Sequence, residues 1–211
     1  DYDPSLKKIS KSEEKELKEQ KVTKDKDTAG NYAYVNTAGD AKHYFPENLD
    51  EDKAVVMTKK NHVISFAPVR KEDTVENVED TKQDKQDSAI TDTEMQGKSE
   101  KISKSVAPLK IEKKSVKEDN LTYSGDKAIS YQYTSLKNGV KEEIILSEKP
   151  ETNIFEFKIN LPGMNMEMLD DSKEIRITDR KTKKLVAYIS EPNIKDAGGG
   201  LTYDEVHYEI E

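Results

Sequence analysis

The residues best suited to chemistry in this chain are three histidines and a large number of carboxylates. The histidines are His43, His62 and His207. None has the helical spacing of an H-E-x-x-H motif, so a zinc site of that type is not predicted. A site assembled from separate strands stays open, and the simpler interpretation of all three is structural. Asp and Glu total 43, and so no carboxylate pair can be singled out as a glycosidase acid and base without distances.

One stretch partly imitates a calcium-binding loop. Asp25, Asp27 and Gly30 have the spacing that opens an EF-hand loop. The pattern fails at the fifth position, Ala29, and at the twelfth, which is Asn36 where a bidentate Glu is needed. The sequence therefore predicts no metal at this position.

Nucleophile and phosphate-binding motifs are also missing. There is no cysteine and no G-x-S-x-G nucleophile elbow. The run Gly198–Gly200 has no Lys-Ser/Thr after it, so it is interpreted as a flexible loop and not as a phosphate cradle. We therefore expect a protein that is not an enzyme, with no catalytic residue, no bound metal and no cofactor.

A cluster of aromatic residues gives the one candidate binding site. Tyr32, Tyr34, Tyr44 and Phe45 lie close together in a glycine-containing segment. If the rings of Tyr32, Tyr34 and Tyr44 are exposed on a β-sheet, they could stack on sugar rings. The alternative is that these aromatic side chains form the core of a small β-unit that has few other large residues.

Composition limits the classes of partner. Charged residues make up 37% of the chain and hydrophobic ones 33%, with a net charge of −8. The acidic balance argues against nucleic acid as a general partner, because phosphate binding requires a basic face. No apolar run approaches the 18 or so residues needed to span a bilayer, so membrane insertion is not expected.

The first 28 residues favour a polar helix or a linker. Ser10 and Glu13 have the spacing of a capping box, and Leu17 is almost the only apolar residue that follows. Asp3-Pro4 also suits the start of a helix. The chain begins at Asp1 without a signal-peptide pattern, which suggests a mature product or an excised fragment.

Residues 29–70 and 71–119 differ sharply. The first range is predicted to be a small β-unit with a hairpin at 54–58 and 62–67, turning at Lys60-Asn61 and ending at Pro68. The second range is predicted to be a charged linker or insertion. It has too few apolar residues to offset the entropy of ordering it.

Residues 120–211 carry the clearest pattern and are predicted to form an antiparallel β-sandwich domain. Asn138-Gly139 favours a two-residue type I′ turn. That turn places Tyr133 opposite Ile144 and Tyr131 opposite Leu146.

Further alternation after Pro150 predicts more strands in this domain. The apolar residues of each expected strand share one face: Phe155, Phe157, Ile159 and Leu161; Ile175 and Ile177; Leu185, Ala187 and Ile189; Val206, Tyr208 and Ile210. The predicted fold class is mostly β: antiparallel sandwich or meander units with a short N-terminal helix and a long charged linker.

Three stretches together resemble a known family. They are "GNYAYVNTAGDAKHYFPENL…VVMTKKNHVISFAPV", "ISYQYTSLKNGVKEEIILSEKPETNIFEFKINLPGM" and "SKEIRITDRKTKKLVAYISEP". In the same order they resemble the N-terminal β-rich region of Gram-positive RHS/YD-repeat proteins, the wall-associated WapA-like proteins among them. The resemblance covers roughly residues 29–70 and 120–211.

The resemblance implies a secreted or cell-wall-associated setting and a non-catalytic structural role in a large, toxin-associated protein. The partner would be the remainder of the parent polypeptide. No YD repeats and no effector domain occur in this chain, and the family offers no catalytic motif to transfer. Two other functions remain open: a carbohydrate- or cell-wall-binding module that uses exposed tyrosines, and a hydrolase with scattered carboxylates.

Overall fold

The computed structural model describes residues 2–19, 32–70, 107–112, 115–125, 128–169 and 173–211. Strands make up 47% of the described residues and helix 6%, so the chain is mostly β, as predicted. The chain divides into two compact units, one formed by Asp1–Val69 with Pro108–Glu211 and the other by Arg70–Ala107. Within the described ranges no helix is long and apolar enough to cross a membrane.

A six-stranded antiparallel sheet, here called sheet A, is built mainly from the N-terminal third of the chain. Its strand order is β1-β2-β3-β5-β6-β11. The strands are β1 (Lys7–Lys8), β2 (Tyr32–Asn36), β3 (Lys42–Pro46), β5 (Val55–Lys59), β6 (His62–Pro68) and β11 (Phe157–Asn160). The β5–β6 hairpin turns at Lys60-Asn61 as predicted, with Lys60 at a φ of 54°. Pro68 is the last residue of β6, a position at which the missing amide hydrogen of proline breaks no hydrogen bond of the ladder.

A second antiparallel sheet, sheet B, has the order β10-β9-β8-β7-β4. Its strands are β4 (Asn48–Leu49), β7 (Leu109–Ile111), β8 (Asn120–Ser124), β9 (Ile129–Leu136) and β10 (Gly139–Leu146). The two long strands, β9 and β10, are the pair that the alternation of Ile129, Tyr131 and Tyr133 predicts.

Two smaller sheets follow in the C-terminal part. Sheet C is antiparallel in the order β12-β13-β14 and consists of β12 (Met164–Met168), β13 (Ile175–Asp179) and β14 (Leu185–Ile189). A short hairpin pairs β15 (Ile194–Lys195) with β16 (Leu201–Thr202). The Gly198–Gly200 run forms its turn, with Gly199 at a φ of 87° and the Gly200 amide donating to Asp196 Oδ1.

The helix α1 (Lys11–Glu19) begins at the predicted capping box. The Ser10 amide donates to Glu13 Oε2 at 2.8 Å and the Glu13 amide donates to Ser10 Oγ at 3.4 Å. This reciprocal pair satisfies two amides that the first helical turn leaves free. Asp3-Pro4 does not begin a helix, because Asp3 Oδ1 instead accepts the Ser5 amide in a turn before β1.

Sheets A and B pack face to face, and helix α1 covers the other face of sheet A. Successive residues of a strand point to opposite faces, and β3 follows this rule. Phe45 lies in the core between the two sheets, whereas Tyr44 packs with Leu17 of α1. Leu17, the lone apolar residue of the helix, is only 1% exposed. Sheet C packs on sheet A through a third core: Ala41, Met57, Ile64, Met164, Ile177 and Val186.

The predicted division into separate β-units at 29–70 and 120–211 differs from the sheet pairing. Strand β11, from the second range, pairs with β6 of the first, and β4, from the first range, joins sheet B. Residues 32–69 and the described part of 120–211 therefore belong to one compact unit. The predicted linker 71–119 also contains β7, while its residues 71–106, 113 and 114 lie outside the described residues.

The β9–β10 hairpin has a different register from the one predicted. Its two-residue connection is Lys137-Asn138, so Gly139 pairs with Leu136, Tyr133 with Glu142 and Tyr131 with Ile144. Neither Asn138 nor Gly139 has a positive φ, so the type I′ turn does not form. The Lys137 carbonyl accepts the Asp40 amide at 3.0 Å and lies where a side chain on Gly39 would stand. This tertiary contact positions the connection one residue earlier than the local signal indicates.

The C-terminal part departs from prediction at two places. The pairing of β13 with β14 shifts between Ile177 and Thr178 of β13 and skips Val186 of β14, which turns Val186 into the core and leaves Leu185 60% exposed. Leu185, Ala187 and Ile189 therefore do not share one face. The expected last strand through Val206, Tyr208 and Ile210 is absent among the described residues, because 203–211 contain no strand.

Candidate functional site

The group of polar side chains most able to support chemistry lies inside the sandwich. We call it the buried polar cluster and define it as His43 of β3, Tyr133 and Ser135 of β9, and Glu142 of β10. Tyr133 and Ser135 stand two residues apart and therefore on one face of β9. Each of them bonds one of the other two members.

His43 and Ser135 form a hydrogen-bonded pair between the two sheets. His43 Nδ1 lies 2.8 Å from Ser135 Oγ, a separation suited to a nucleophile and its base. Yet His43 is 0% exposed and Ser135 1% exposed, so no substrate reaches either atom in the folded protein. The pair ties sheet A to sheet B, and His43 Nε2 has no hydrogen-bond partner among the described residues.

Burial makes His43 an acid-sensitive element of the fold. Desolvation lowers its pKa from 6.5 to about 4. A histidine whose folded pKa is depressed contributes stability above its unfolded pKa and loses it as the pH falls toward the folded value. The window for His43 is therefore pH 6.5 down to about 4.

We expect His43→Gln to destabilise the protein most at pH 7 and progressively less toward pH 4. The pH-dependent part of the difference should approach roughly 3 kcal/mol, since one pKa unit corresponds to about 1.4 kcal/mol. Urea unfolding of both proteins at pH 4 to 7 measures it. His207→Gln, at an exposed histidine, serves as the control and should change stability by less than about 0.5 kcal/mol. A difference for His43→Gln that does not change with pH would contradict the prediction.

Glu142 is a carboxyl group on the apolar face of its strand. It lies opposite Tyr133, whose hydroxyl donates to Glu142 Oε1 at 3.3 Å. Burial raises the pKa of Glu142 to about 8, a shift that the tyrosine hydrogen bond only partly offsets. Glu142 is therefore mostly protonated at neutral pH. Burial raises the pKa of Tyr208, on the C-terminal segment, and the charged form of Glu142 raises it further.

The structure places two of the three candidate tyrosines in the interior. Tyr32 is 4% exposed and donates its hydroxyl to the Ala54 carbonyl at 2.8 Å, and Tyr44 is fully buried against the helix. Tyr34 is half-buried and packs on the core between sheets A and B. The rings of Tyr32 and Tyr44 are thus occupied by packing, which is the alternative that the sequence left open for them.

The other candidate residues take structural positions or lie outside the described ranges. His62 Nε2 lies 2.8 Å from Asp179 Oδ2, which joins sheet A to sheet C, and the exposed His207 contacts Glu209. Asp50 Oδ1 accepts the Asp52 and Lys53 amides. Asp25, Asp27, Ala29 and Gly30 lie outside the described residues. Where the structure describes the chain, no three His, Asp or Glu side chains are grouped to hold a metal.

Sequence reasoning missed Glu142 and Ser135. One signal for Glu142 was present: it is two residues from both Val140 and Ile144 and therefore lies on the same face of the strand, which was predicted to be apolar. A carboxyl group at a core position of an alternating strand marks a shifted pKa. Ser135 carried no such signal, because its importance depends on His43, 92 residues away.

The fold and the cluster together define a class: a mostly β protein of packed antiparallel sheets, with a buried, hydrogen-bonded polar interior. Comparison with family models, with curated proteins and with solved structures found no match for this chain.

Proposed function

We propose that this chain is a non-catalytic structural region of a large exported RHS-repeat protein of the cell surface or of toxin delivery. The sequence support is the ordered resemblance of residues 29–70 and 120–211 to the N-terminal β-rich region of such proteins. The physical support is that the polar groups most suited to chemistry, His43 and Ser135, are buried between two sheets. The partner is the remainder of the parent polypeptide, in a secreted or wall-associated setting.

The observation that carries the proposal is the free edge of sheet B. Strand β10 stands at the end of the strand order, so no described strand pairs with its outer side. The Ser147 amide donates to the Ala128 carbonyl, and ladder bonds alternate along an antiparallel pair. The amides of Ile144 and Leu146 therefore point away from β9.

This edge also carries apolar surface. Ile145 is 42% exposed and Leu146 43% exposed. An eight-residue edge strand that has apolar side chains, and whose outward backbone groups pair with no described strand, can accept a further strand. We assign that added strand to the polypeptide that continues this chain in its parent protein.

The test supplies the continuing polypeptide as a separate chain and follows amide hydrogen exchange. Exchange at Ile144 and Leu146 should slow at least about tenfold when the strand adds, because each amide gains a partner. Leu146→Pro removes an outward amide without breaking the ladder to β9, so it should weaken the complex yet leave the isolated chain folded.

Two results would contradict the proposal. One is unchanged exchange along β10 in the presence of the continuing polypeptide. The other is retention of the chain on peptidoglycan freed of phosphate polymers, with competition by free glycan, which would establish the carbohydrate-binding alternative. Leu146→Ala is the matched control for Leu146→Pro, since it shortens the side chain but keeps the backbone amide.

A further inference from the structure

Four connections between strands lie at one end of the first compact unit. They are residues 37–41 between β2 and β3, 60–61 between β5 and β6, 137–138 between β9 and β10, and 180–184 between β13 and β14, and the flanking strand residues Lys59, His62 and Asp179 are counted with them. We call this surface the four-turn face. The inference drawn from this face concerns a different surface from the outer side of β10 and does not depend on the proposed function.

Specific contacts hold these turns side by side. The Asp40 amide donates to the Lys137 carbonyl at 3.0 Å, which joins the first turn to the third. Lys42 pairs with Thr58, so the turns at 37–41 and 60–61 emerge at the same end of sheet A. His62 Nε2 lies 2.8 Å from Asp179 Oδ2, which joins the second turn to the fourth. The four turns therefore form one pre-arranged surface.

The four-turn face has more basic than acidic residues although the whole chain has a net charge of −8. Its acidic residues are Asp40 and Asp179, and two further acidic residues lie beside it: Asp119, whose carbonyl accepts the Ser135 amide, and Asp3, whose carbonyl accepts from the Asn36 side chain. Its basic residues are Lys59, Lys60, Lys137, Arg180, Lys181, Lys183 and Lys184. None of these basic side chains forms an ion pair with another residue of the part that the structure describes.

Asp179 is ionised and offsets one positive charge of the four-turn face. Its Oδ1 accepts the amides of Lys181 and Thr182, and its Oδ2 faces His62. The Thr182 amide and the His62 hydrogen bond hold the pKa of Asp179 well below its usual range. The carboxylate shapes the turn that carries Arg180, Lys181 and Lys184. The Arg180 guanidinium itself donates to Asn165 Oδ1 and to the Met164 carbonyl.

We propose that the four-turn face binds a linear phosphate-bearing polyanion. The basic residues are distributed over three of the four turns, which suits an extended polymer better than a small anion. All but one are lysines, which contact phosphates as point charges without the bidentate geometry of arginine. Lysine is also depleted from protein–protein interfaces, which argues against an acidic protein as the partner.

The charge of the rest of the chain influences where on the protein a polyanion binds. Because the whole chain is net negative, we expect a polyanion to contact the four-turn face, where basic residues are concentrated. Binding depends on counterion release and should weaken steeply as salt rises.

The experiment titrates the full chain with inorganic polyphosphate and measures fluorescence anisotropy at several salt concentrations between 50 and 200 mM. The double variant Lys181→Gln/Lys184→Gln should weaken binding by about tenfold or more. It should also reduce the slope of log K against log salt by about two, one for each lysine removed. The control double variant Lys149→Gln/Lys195→Gln, at exposed lysines outside the face, should keep the affinity and the slope.

Several outcomes would overturn the proposal. One is the absence of binding at 50 mM salt, and another is equal weakening by both double variants. Tighter binding to poly-L-glutamate of equal charge would indicate an acidic protein partner instead. Binding to vesicles of phosphatidylglycerol without binding to polyphosphate would indicate a lipid surface. The β10 exchange experiment reads a different element, so either result there leaves this one interpretable.

Discussion

Replacing Tyr133 by alanine is expected to lower the free energy of unfolding by about 3–5 kcal/mol, the range for truncating a large aromatic side chain in a core. Tyr133 is fully buried. Its ring centre lies 6.5 Å from that of Phe45, 6.0 Å from Phe66 and 5.7 Å from Tyr123. Because Phe45 and Phe66 belong to sheet A and Tyr123 to sheet B, the truncation leaves a cavity between the two sheets.

Chemical denaturation monitored by circular dichroism measures this effect. Tyr188→Ala is the matched control, since Tyr188 lies on sheet C with its side chain 61% exposed, and should change stability by less than about 0.5 kcal/mol. If Tyr133→Ala does not fold, Tyr133→Phe still tests whether the Tyr133 side chain is buried and hydrogen-bonded, because it keeps the ring and loses only the hydroxyl. Tyr133→Phe should cost about 0.5–1.5 kcal/mol, the usual value of one hydrogen bond. Equal effects at Tyr133 and Tyr188 would contradict the packing of the two sheets.

Glu142→Gln is expected to change how stability depends on pH. The folded pKa of Glu142, about 8, is above its ordinary value of 4.5. A carboxyl group raised in this way stabilises the fold below pH 4.5, and that contribution is lost as the pH rises toward 8. The neutral amide of glutamine has no such loss, so the variant should gain on the wild type by on the order of 2–4 kcal/mol between pH 4.5 and 8, after allowance for partial solvent access.

Unfolding by urea at pH 4.5, 6, 7 and 8 measures the difference between the variant and the wild type. Glu143→Gln is the matched control, because Glu143 is the next residue along β10, pairs with Lys141 at the surface and is 42% exposed at its side chain. Glu143→Gln should change stability by less than about 0.5 kcal/mol. A parallel pH profile for Glu142→Gln and the wild type would show that Glu142 is ionised in the fold.

His43 and Glu142 act on stability in opposite directions as the pH changes. His43 adds stability as the pH rises from about 4 to 6.5, whereas Glu142 removes it from 4.5 to about 8. In the shared range their contributions largely cancel in the wild type. Each single variant therefore exposes the other group's pH dependence, which makes the His43→Gln and Glu142→Gln profiles a joint test of one buried polar cluster.

Local sequence was sufficient for the elements whose signals lie within a few residues. The capping box at Ser10 and Glu13 is satisfied by hydrogen bonds within one helical turn. The hairpin at Lys60-Asn61 depends on its turn residues and on alternation in β5 and β6. These features need no distant partner, and the mostly β fold class follows from the same alternation.

Register and sheet membership required tertiary structure. A shift of two residues in the β9–β10 pairing keeps every side chain on its original face, so alternation alone cannot distinguish Tyr133 opposite Ile144 from Tyr133 opposite Glu142. The contact of Lys137 with Asp40 belongs to the observed register. It is made by residues almost a hundred positions apart, and no local pattern reports it.

The candidate site shows the same division. From the sequence alone, Tyr32 and Tyr44 could be either exposed rings or core, and packing against Leu17 and Val56 decided that Tyr44 is core. The packing of sheet A on sheet B brings His43 and Ser135 within hydrogen-bonding distance. The sequence by itself determined which residues alternate, where the helix begins and that the chain is mostly β. The tertiary structure decided which polar groups lose their water, because burial depends on what packs against a residue and not on its neighbours in the chain.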